Sequence, residues 1–399
     1  MKSCKGWAAV LGFIAVLWGP ISTLGAETDA NPGPENRATA DKSRVVFQNS
    51  WPIDAEVTAM AMGDLTGDGR NELVLAAGID IHVYALHQGR LKPLARHKSF
   101  DRYRFIALDV ADMDGDGRAE VYASRFNEGM TAPSSMVFEL KDGELHPLVK
   151  NSEWFFRVMH WPGKGEILVG QHKGRPGDVG GGGVIRDFFE RRIYRLAWQG
   201  SSLAPDKGPL ADLSRGSRKS VYIYNFALGD VTGDGAPEMA VIDREGRLNI
   251  MDIQGNLLAW TDAAYGGAAG YIWTNPGWDD SKSRSIRQQY LYIPPRVLIR
   301  DLNGDGTNEI IAGRNSSSGM ASRFRSFITD GGIEAFSWKG AGLVADWETA
   351  PMGGSLSDYT IKDLDNDGSD ELVAVMLQKR KSGLFEKGRS LVVSYPLNP

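Results

Sequence analysis

The chain has 399 residues, a formal net charge of −5, 48 glycines, and 42% hydrophobic against 24% charged residues. That apolar content excludes a disordered polymer, and the length suits one large domain or two ordinary ones. The small net charge selects no partner class by itself, and no nucleic-acid partner is expected.

Residues 1–26 read as a signal peptide. Lys2 and Lys5 precede an apolar run from Trp7 to Trp18, and Pro20, Gly25 and Ala26 follow it. The run is shorter than the roughly 20 apolar residues a spanning helix needs, and no other window reaches that length. The expectation is export to the periplasm or extracellular space, with no membrane span after cleavage. The single cysteine, Cys4, precedes the apolar run, so neither a lipid anchor nor a disulfide is expected. Residues 27–43 are polar, with two prolines and no periodicity, and read as a flexible leader to a domain covering 44–399.

Within that domain a nine-residue acidic motif recurs five times: "DLTGDGRNE" from Asp64, "DMDGDGRAE" from Asp112, "DVTGDGAPE" from Asp230, "DLNGDGTNE" from Asp301 and "DLDNDGSDE" from Asp363. Positions 1, 5 and 9 are always Asp, Asp and Glu: Asp64, Asp68 and Glu72; Asp112, Asp116 and Glu120; Asp230, Asp234 and Glu238; Asp301, Asp305 and Glu309; Asp363, Asp367 and Glu371. Position 3 is always an oxygen donor, Thr66, Asp114, Thr232, Asn303 or Asp365, and position 6 is always Gly, as a turn through positive φ requires. Calcium takes six to eight oxygens from alternating side chains and a backbone carbonyl. The candidate ligands are these side chains, with the carbonyls of position 7 (Arg70, Arg118, Ala236, Thr307 and Ser369), giving up to five Ca²⁺ sites. An EF-hand is excluded, because its position 12 must be Glu and is here Leu75, Ala123, Val241, Ala312 or Ala374.

Short apolar runs rich in Val, Ile and Phe flank each loop, so each loop joins two buried strands. First-Asp spacings are 48 (64 to 112), 118 (112 to 230), 71 (230 to 301) and 62 (301 to 363), so the 118 hides one more unit. It is "VMHWPGKGEILVG", residues 158–170, which keeps the strands and Glu166 but has lost the aspartates. Glycine hairpins follow the first five units at "YALHQGRL", "FELKDGEL", "RLAWQGSSL", "IMDIQGNLL" and "FSWKGAGL". Each unit is a four-stranded meander, and radial repetition of such units makes an all-β, six-bladed β-propeller, or a seven-bladed one if an insertion hides a blade. The sixth unit shows three strands. "SRVVFQN", residues 43–49, is the expected fourth, closing the ring.

The stretch "FALGDVTGDGAPEMAVID" resembles the FG-GAP repeat of integrin α-subunit propellers and the related VCBS repeats of secreted bacterial proteins. The resemblance runs over nearly all of residues 44–396 and implies calcium in the loops and a binding or adhesion role more often than catalysis, although some lyases and lipases use such propellers. This chain departs from the pattern at its third unit and in its long insertions.

The insertions, 124–136, 171–192, 262–296, 313–328 and 378–389, all fall on the face opposite the acidic loops, where binding apparatus on a rigid scaffold is expected. They hold 18 Lys and Arg against 8 Asp and Glu, net +10, which favours an anionic protein or polysaccharide partner. The candidate contact residues are Tyr271, Trp273, Trp278, Arg323, Arg325, Lys379, Arg380 and Lys381, among further rings at Tyr265, Tyr290 and Tyr292. Asp279 and Asp280 do not make a convincing acid pair, the six histidines lack paired metal spacing, and no G-x-S-x-G elbow is present. A binding, adhesion or scaffold module is therefore the leading expectation. The alternative is a propeller-fold enzyme, such as a polysaccharide lyase or a cofactor-dependent dehydrogenase.

Overall fold

The computed structural model describes residues 39–127, 133–174, 188–213, 221–267, 270–273, 278–279, 284–285, 290–317, 328–340, 342–378 and 388–397. These form an all-β, six-bladed propeller of four-stranded antiparallel blades. No helix among the described residues is long and apolar enough to cross a membrane.

Blade 1 is Ala59–Gly63, Glu72–Ala77, Asp80–His87 and Arg90–Lys98. Blade 2 is Tyr103–Ala111, Glu120–Asn127, Ser135–Lys141 and Glu144–Ser152. Blade 3 is Trp154–Trp161, Gly165–His172, Arg192–Gln199 and Ser202–Pro205, with Ala211–Asp212 also paired to its third strand. Blade 4 is Phe226–Gly229, Glu238–Ile242, Arg247–Asp252 and Leu257–Ala264. Blade 5 is Val297–Arg300, Glu309–Ser317, Ile328–Lys339 and Gly342–Thr349. Blade 6 is Gly354–Lys362, Glu371–Gln378, Ser390–Pro396 and, from the start of the domain, Asn49–Ile53.

The core lies between blades, which explains the continuous apolar runs in the second strands. Successive side chains of a strand point to opposite faces. Leu73 and Leu75 pack toward blade 6, with Val373, Val375 and Val392; Val74 and Ala76 pack toward blade 2, with Leu108, Val121 and Phe138. Both faces are covered, so neither residue set is polar. Neighbouring first strands approach closely where a glycine precedes the acidic loop. A Cβ at Gly63 would lie 2.6 Å from Val110 Cγ1, and one at Gly229 would lie 2.5 Å from Ile299 Cγ2. The glycine hairpins join third to fourth strands; Gln88 and Gly89 (φ 51° and 71°), like Asp142 and Gly143 (52° and 78°), take the paired positive φ that matches strand twist in a two-residue turn.

The hidden third unit is a blade, its first two strands joined through Gly163 and Gly165, with Lys164 N–H donating to the Trp161 carbonyl. A seventh blade is excluded in the longest insertion. Its described residues form only two small hairpins, Gly270–Trp273 with Tyr290–Ile293 and Trp278–Asp279 with Arg284–Ser285.

Closure by the N-terminal segment holds, but its register corrects the expectation. The closing strand is Asn49–Ile53, antiparallel to Ser390–Pro396, rather than 43–49. The earlier segment Thr39–Val45 pairs in parallel with Gly342–Thr349 as a fifth strand on blade 5, so residues 39–43 of the expected leader belong to a strand. Pro52 hides the true closing strand from a sequence reading, yet an outermost strand tolerates proline because one edge needs no ladder donor. Side chains set the register: Ile53 is buried with Val57 and Met60, and the Trp51 indole donates to the Gly89 carbonyl at 2.9 Å.

The channel is crossed by charge. Arg296, 8% exposed, forms a two-pronged ion pair with Asp358 (2.8 Å at each prong), reaches Asp109 at 3.2 Å, and donates to the Met60 and Leu108 carbonyls at 2.9 and 3.2 Å. One side chain thereby ties blades 1, 2 and 6 to the entry of blade 5.

These contacts predict unequal truncations. A chain beginning at residue 47 should melt cooperatively at a lowered temperature, whereas one beginning at 54 should lose cooperative melting by circular dichroism, because two edges open. Equal behaviour of the two would contradict closure by Asn49–Ile53.

Candidate metal centres

The five acidic loops join first to second strands in blades 1, 2, 4, 5 and 6, and share one internal geometry. Position 1 caps the turn: both oxygens of Asp64 accept backbone N–H groups, from Gly67 and Gly69 at 2.7 Å each. Asp112, Asp230, Asp301 and Asp363 accept the N–H of Gly117, Gly235, Gly306 and Gly368 in the same way, at 2.8 to 3.0 Å. Those position-6 glycines have φ between 81° and 96°. Position 4 is also left-handed, and where it is not glycine it is Asn366 (φ 61°), the side-chain type that tolerates this region.

Position 9 is buried. Glu72, Glu120, Glu238, Glu309 and Glu371 are 3 to 9% exposed, and each accepts the N–H of position 2, from Leu65, Met113, Val231, Leu302 and Leu364 respectively, at 2.7 to 3.1 Å. Position 2 is apolar in every loop, a regularity that pins the loop to the core and that the acidic spacing alone concealed. Burial pushes the carboxyls of Glu72, Glu120 and Glu371 up to about 7, with the loop aspartates adding to it; burial likewise raises Glu309. Burial and the charge of Asp367 raise Asp365.

Position 3 divides the loops. In the loops at Asp112 and Asp363 it is Asp, and the four carboxylates, Asp112, Asp114, Asp116 and Glu120, or Asp363, Asp365, Asp367 and Glu371, bring oxygens within 4.8 Å of one another. These two clusters can hold a metal ion. In the loops at Asp230 and Asp301 it is Thr232 or Asn303, which donates to the second oxygen of Glu238 or Glu309 at 3.3 or 3.1 Å. The remaining charge there is partly satisfied within the loop itself. Thr66 instead donates to Asp64 at 3.5 Å.

Neighbouring loops are also tied sideways. The Asn71 amide donates to the Asp363 carbonyl at 2.8 Å, Ala119 N–H to Asp64 at 2.7 Å, and the Asn308 amide to Asp230 at 2.7 Å. In each case position 8 of one loop holds position 1 of the loop before it. Between blades 5 and 6 the link is an ion pair of Arg300 with Asp370.

The opposite face places the partner candidates less completely. Tyr271 is half-buried and packs against Tyr292, with ring centroids 6.0 Å apart and Tyr292 44% exposed. Trp273 and Trp278 lie in the two small hairpins. Arg323, Arg325, Lys379, Arg380 and Lys381 lie outside the described residues. Four arginines counted toward the basic surplus are spent elsewhere: Arg296 in the channel, Arg125 on Asp101, Arg314 on Glu334 and Glu348, and Arg389 on Asp54. Tyr265 is buried and donates to Glu334 at 2.6 Å, so it is a core residue.

Titration of the buried glutamates is testable in chelator. Glu72, Glu120 and Glu371, with folded pKa values of about 7 against an ordinary 4.5, keep protons in the native state that the unfolded chain has released. Stability falls with rising pH wherever the native state binds more protons. Melting temperature should therefore drop between about pH 4.5 and pH 7, and the double variant Glu120→Gln, Glu371→Gln should flatten that slope. A melting temperature that rises steadily across the window would contradict the burial of these carboxyls.

Residues 57–123, the first acidic loop through the second, match the family model for the FG-GAP-like repeat. No curated protein matches the chain by sequence. Among solved structures, a BBS1N chain crystallised in complex with ARL6DN is 13% identical, with a TM-score of 0.45 over 90% of this chain and 99% of that one. The PQQ-bound aldose sugar dehydrogenase of Streptomyces coelicolor is 13% identical at 0.40 over 88% and 96%, and the soluble aldose sugar dehydrogenase of Escherichia coli 13% at 0.43 over 87% and 100%. The segment 57–123 thus carries an FG-GAP-like repeat, set in a six-bladed β-propeller.

Proposed function

We propose that the protein is a calcium-binding extracytoplasmic propeller that acts as a binding, adhesion or scaffold module for an anionic protein or polysaccharide. The observation carrying the calcium reading is the convergence of four carboxylates in each of two exposed loops. The donor set is all oxygen, without histidine or cysteine, as a hard cation prefers. Asp112, Asp114, Asp116 and Glu120, with the Arg118 carbonyl, would hold one ion; Asp363, Asp365, Asp367 and Glu371, with the Ser369 carbonyl, would hold another. The ion would supply charge neutralisation and cross-link the hairpin tip to the buried glutamate. The loops at Asp64, Asp230 and Asp301 offer three carboxylates each and are the weaker sites. Blade 3, with Gly163, Lys164 and Gly165 at its tip, offers none.

Sites in extracellular modules bind calcium at about 10⁻⁴ to 10⁻³ M, and binding to the native state alone raises stability by mass action. Melting should rise from chelator to millimolar calcium, with at most five ions bound per chain at saturation. Asp114→Asn and Asp365→Asn should each weaken one of the two tightest sites about tenfold, since ligand charge tunes affinity. An unchanged melting temperature, or six ions per chain, would sink this reading.

Support for the binding role comes from the strand order, by which the long insertions are expected opposite the acidic loops, and from the contact of Tyr271 with Tyr292 among their described residues. Aromatic side chains anchor interfaces, and basic ones steer anionic partners at range. Binding to an acidic polysaccharide or acidic envelope protein should weaken as salt rises, since exposed charges are screened beyond about 8 Å at physiological ionic strength. Changing Lys379, Arg380 and Lys381 together to Glu should weaken it further. Indifference to both would remove the basic insertions from the site, and cleavage of the polysaccharide in the same assay would instead favour a lyase.

A further inference from the structure

The channel holds a chamber of about 590 Å³ that none of the roles above uses. It lies at the acidic-loop end, since its wall includes the ends of the first strands at Met62, Val110, His160, Leu228, Arg300 and Lys362. Its floor is the charged layer of Arg157, Arg296 and Asp109. A smaller space beyond the layer is lined by Arg157 and Arg296 again, together with Tyr224 and with Ser357, whose buried hydroxyl has no hydrogen-bond partner among the described residues.

The two arginines of the floor differ sharply in how their donors are used. Arg296 is committed to Asp358, Asp109 and two carbonyls. Arg157 is equally buried, 8% exposed, yet its one charged contact is a long 3.7 Å approach to Asp109 Oδ1, an oxygen already shared with Arg296. Among the described residues its guanidinium makes no hydrogen bond. A guanidinium carries five N–H donors in a fixed fork matched to carboxylate and phosphate, and burying them unspent costs free energy. Burial accordingly pushes its pKa down, with Asp109 as the principal charge holding it up. The ordinary solution for a buried arginine is a second acid, and the facing acids here are few: Asp109 and Asp358 are engaged by Arg296, and Glu166 sits up the wall. Lys362 adds another cation at the loop end of the wall.

We propose that this chamber binds a small molecule bearing an oxyanion, carboxylate or phosphate, which lies on the Arg157 guanidinium with Lys362 above it. The volume falls within the range of about 300 to 1,000 Å³ typical of small-molecule sites, and enclosure by six blades excludes a folded partner. The site uses no loop carboxylate, so its failure leaves the calcium reading standing, and the reverse holds as well.

The test is calorimetric titration of the exported chain in 1 mM calcium with succinate and, separately, phenyl phosphate, with 1,4-butanediol as the neutral control. One anion should bind saturably at one per chain, and which of the two binds names the headgroup. Arg157→Met should weaken it at least tenfold, Lys362→Met less, and Arg157→Lys, which keeps the charge but not the fork, to an intermediate degree. Should Arg157→Met fail to fold, crystals of the unaltered protein soaked in selenate decide the matter. An anomalous peak within hydrogen-bond reach of Arg157 supports the site. No saturable binding of either anion, or selenate found only outside the chamber, overturns it.

Discussion

The buried glutamate at position 9 is the constraint on which the acidic face depends. It starts the second strand, deep enough that the residue is 3 to 9% exposed, and it accepts the position-2 N–H that holds the loop on the core. A carboxylate so placed is costly without a counter-charge. Two aspartates or more crowd the same turn, and beside Glu72, Glu120, Glu309 and Glu371 their charge adds to burial in disfavouring ionisation. The fold thus builds a carboxylate-rich trap at each of the five loops, and in two of them, at Asp112 and Asp363, four carboxylates converge closely enough to hold a metal ion.

Ring geometry explains why the traps are coupled to the rest of the fold. Each loop begins where a first strand leaves the channel and ends where a second strand enters the layer between blades. A force on the loop is felt in both places. The sideways bonds from Asn71 and Asn308 to the carbonyls of the preceding first aspartates extend the coupling between blades. On the inner side Arg296 does the same with charge, joining blades far apart in sequence through Asp358 and Asp109. Closing the ring with a strand from the start of the domain makes the sixth blade depend on both ends of the chain.

Much of this was legible in the sequence because propeller blades repeat their chemistry. Aspartates, glycines and the glutamate recur at fixed offsets, and the second strands betray their two-sided burial through unbroken apolar runs such as "LVLAA". The blade without a trap was found through spacing, and its Lys164 tip is where the spacing put it. What escaped were features set by tertiary contact. The closing strand is hidden in the sequence because Pro52 looks like a turn and "SRVVFQN" looks like a strand, whereas packing of Trp51 and Ile53 sets the register. Arg296 reads from the sequence as an insertion charge, because nothing local says that it turns inward. The sequence names position 3 only as an oxygen donor; the structure shows that Thr232 and Asn303 spend hydrogens on the buried glutamate.

The most direct test of metal binding in these loops is anomalous diffraction near the calcium absorption edge from crystals soaked in a calcium series reaching the millimolar range. Peaks should appear inside the loops at Asp112 and Asp363 at the lowest calcium concentration, then at Asp64, Asp230 and Asp301, with none at Lys164. Empty loops at Asp112 and Asp363 while other sites fill, or a peak at the third-blade tip, would contradict it.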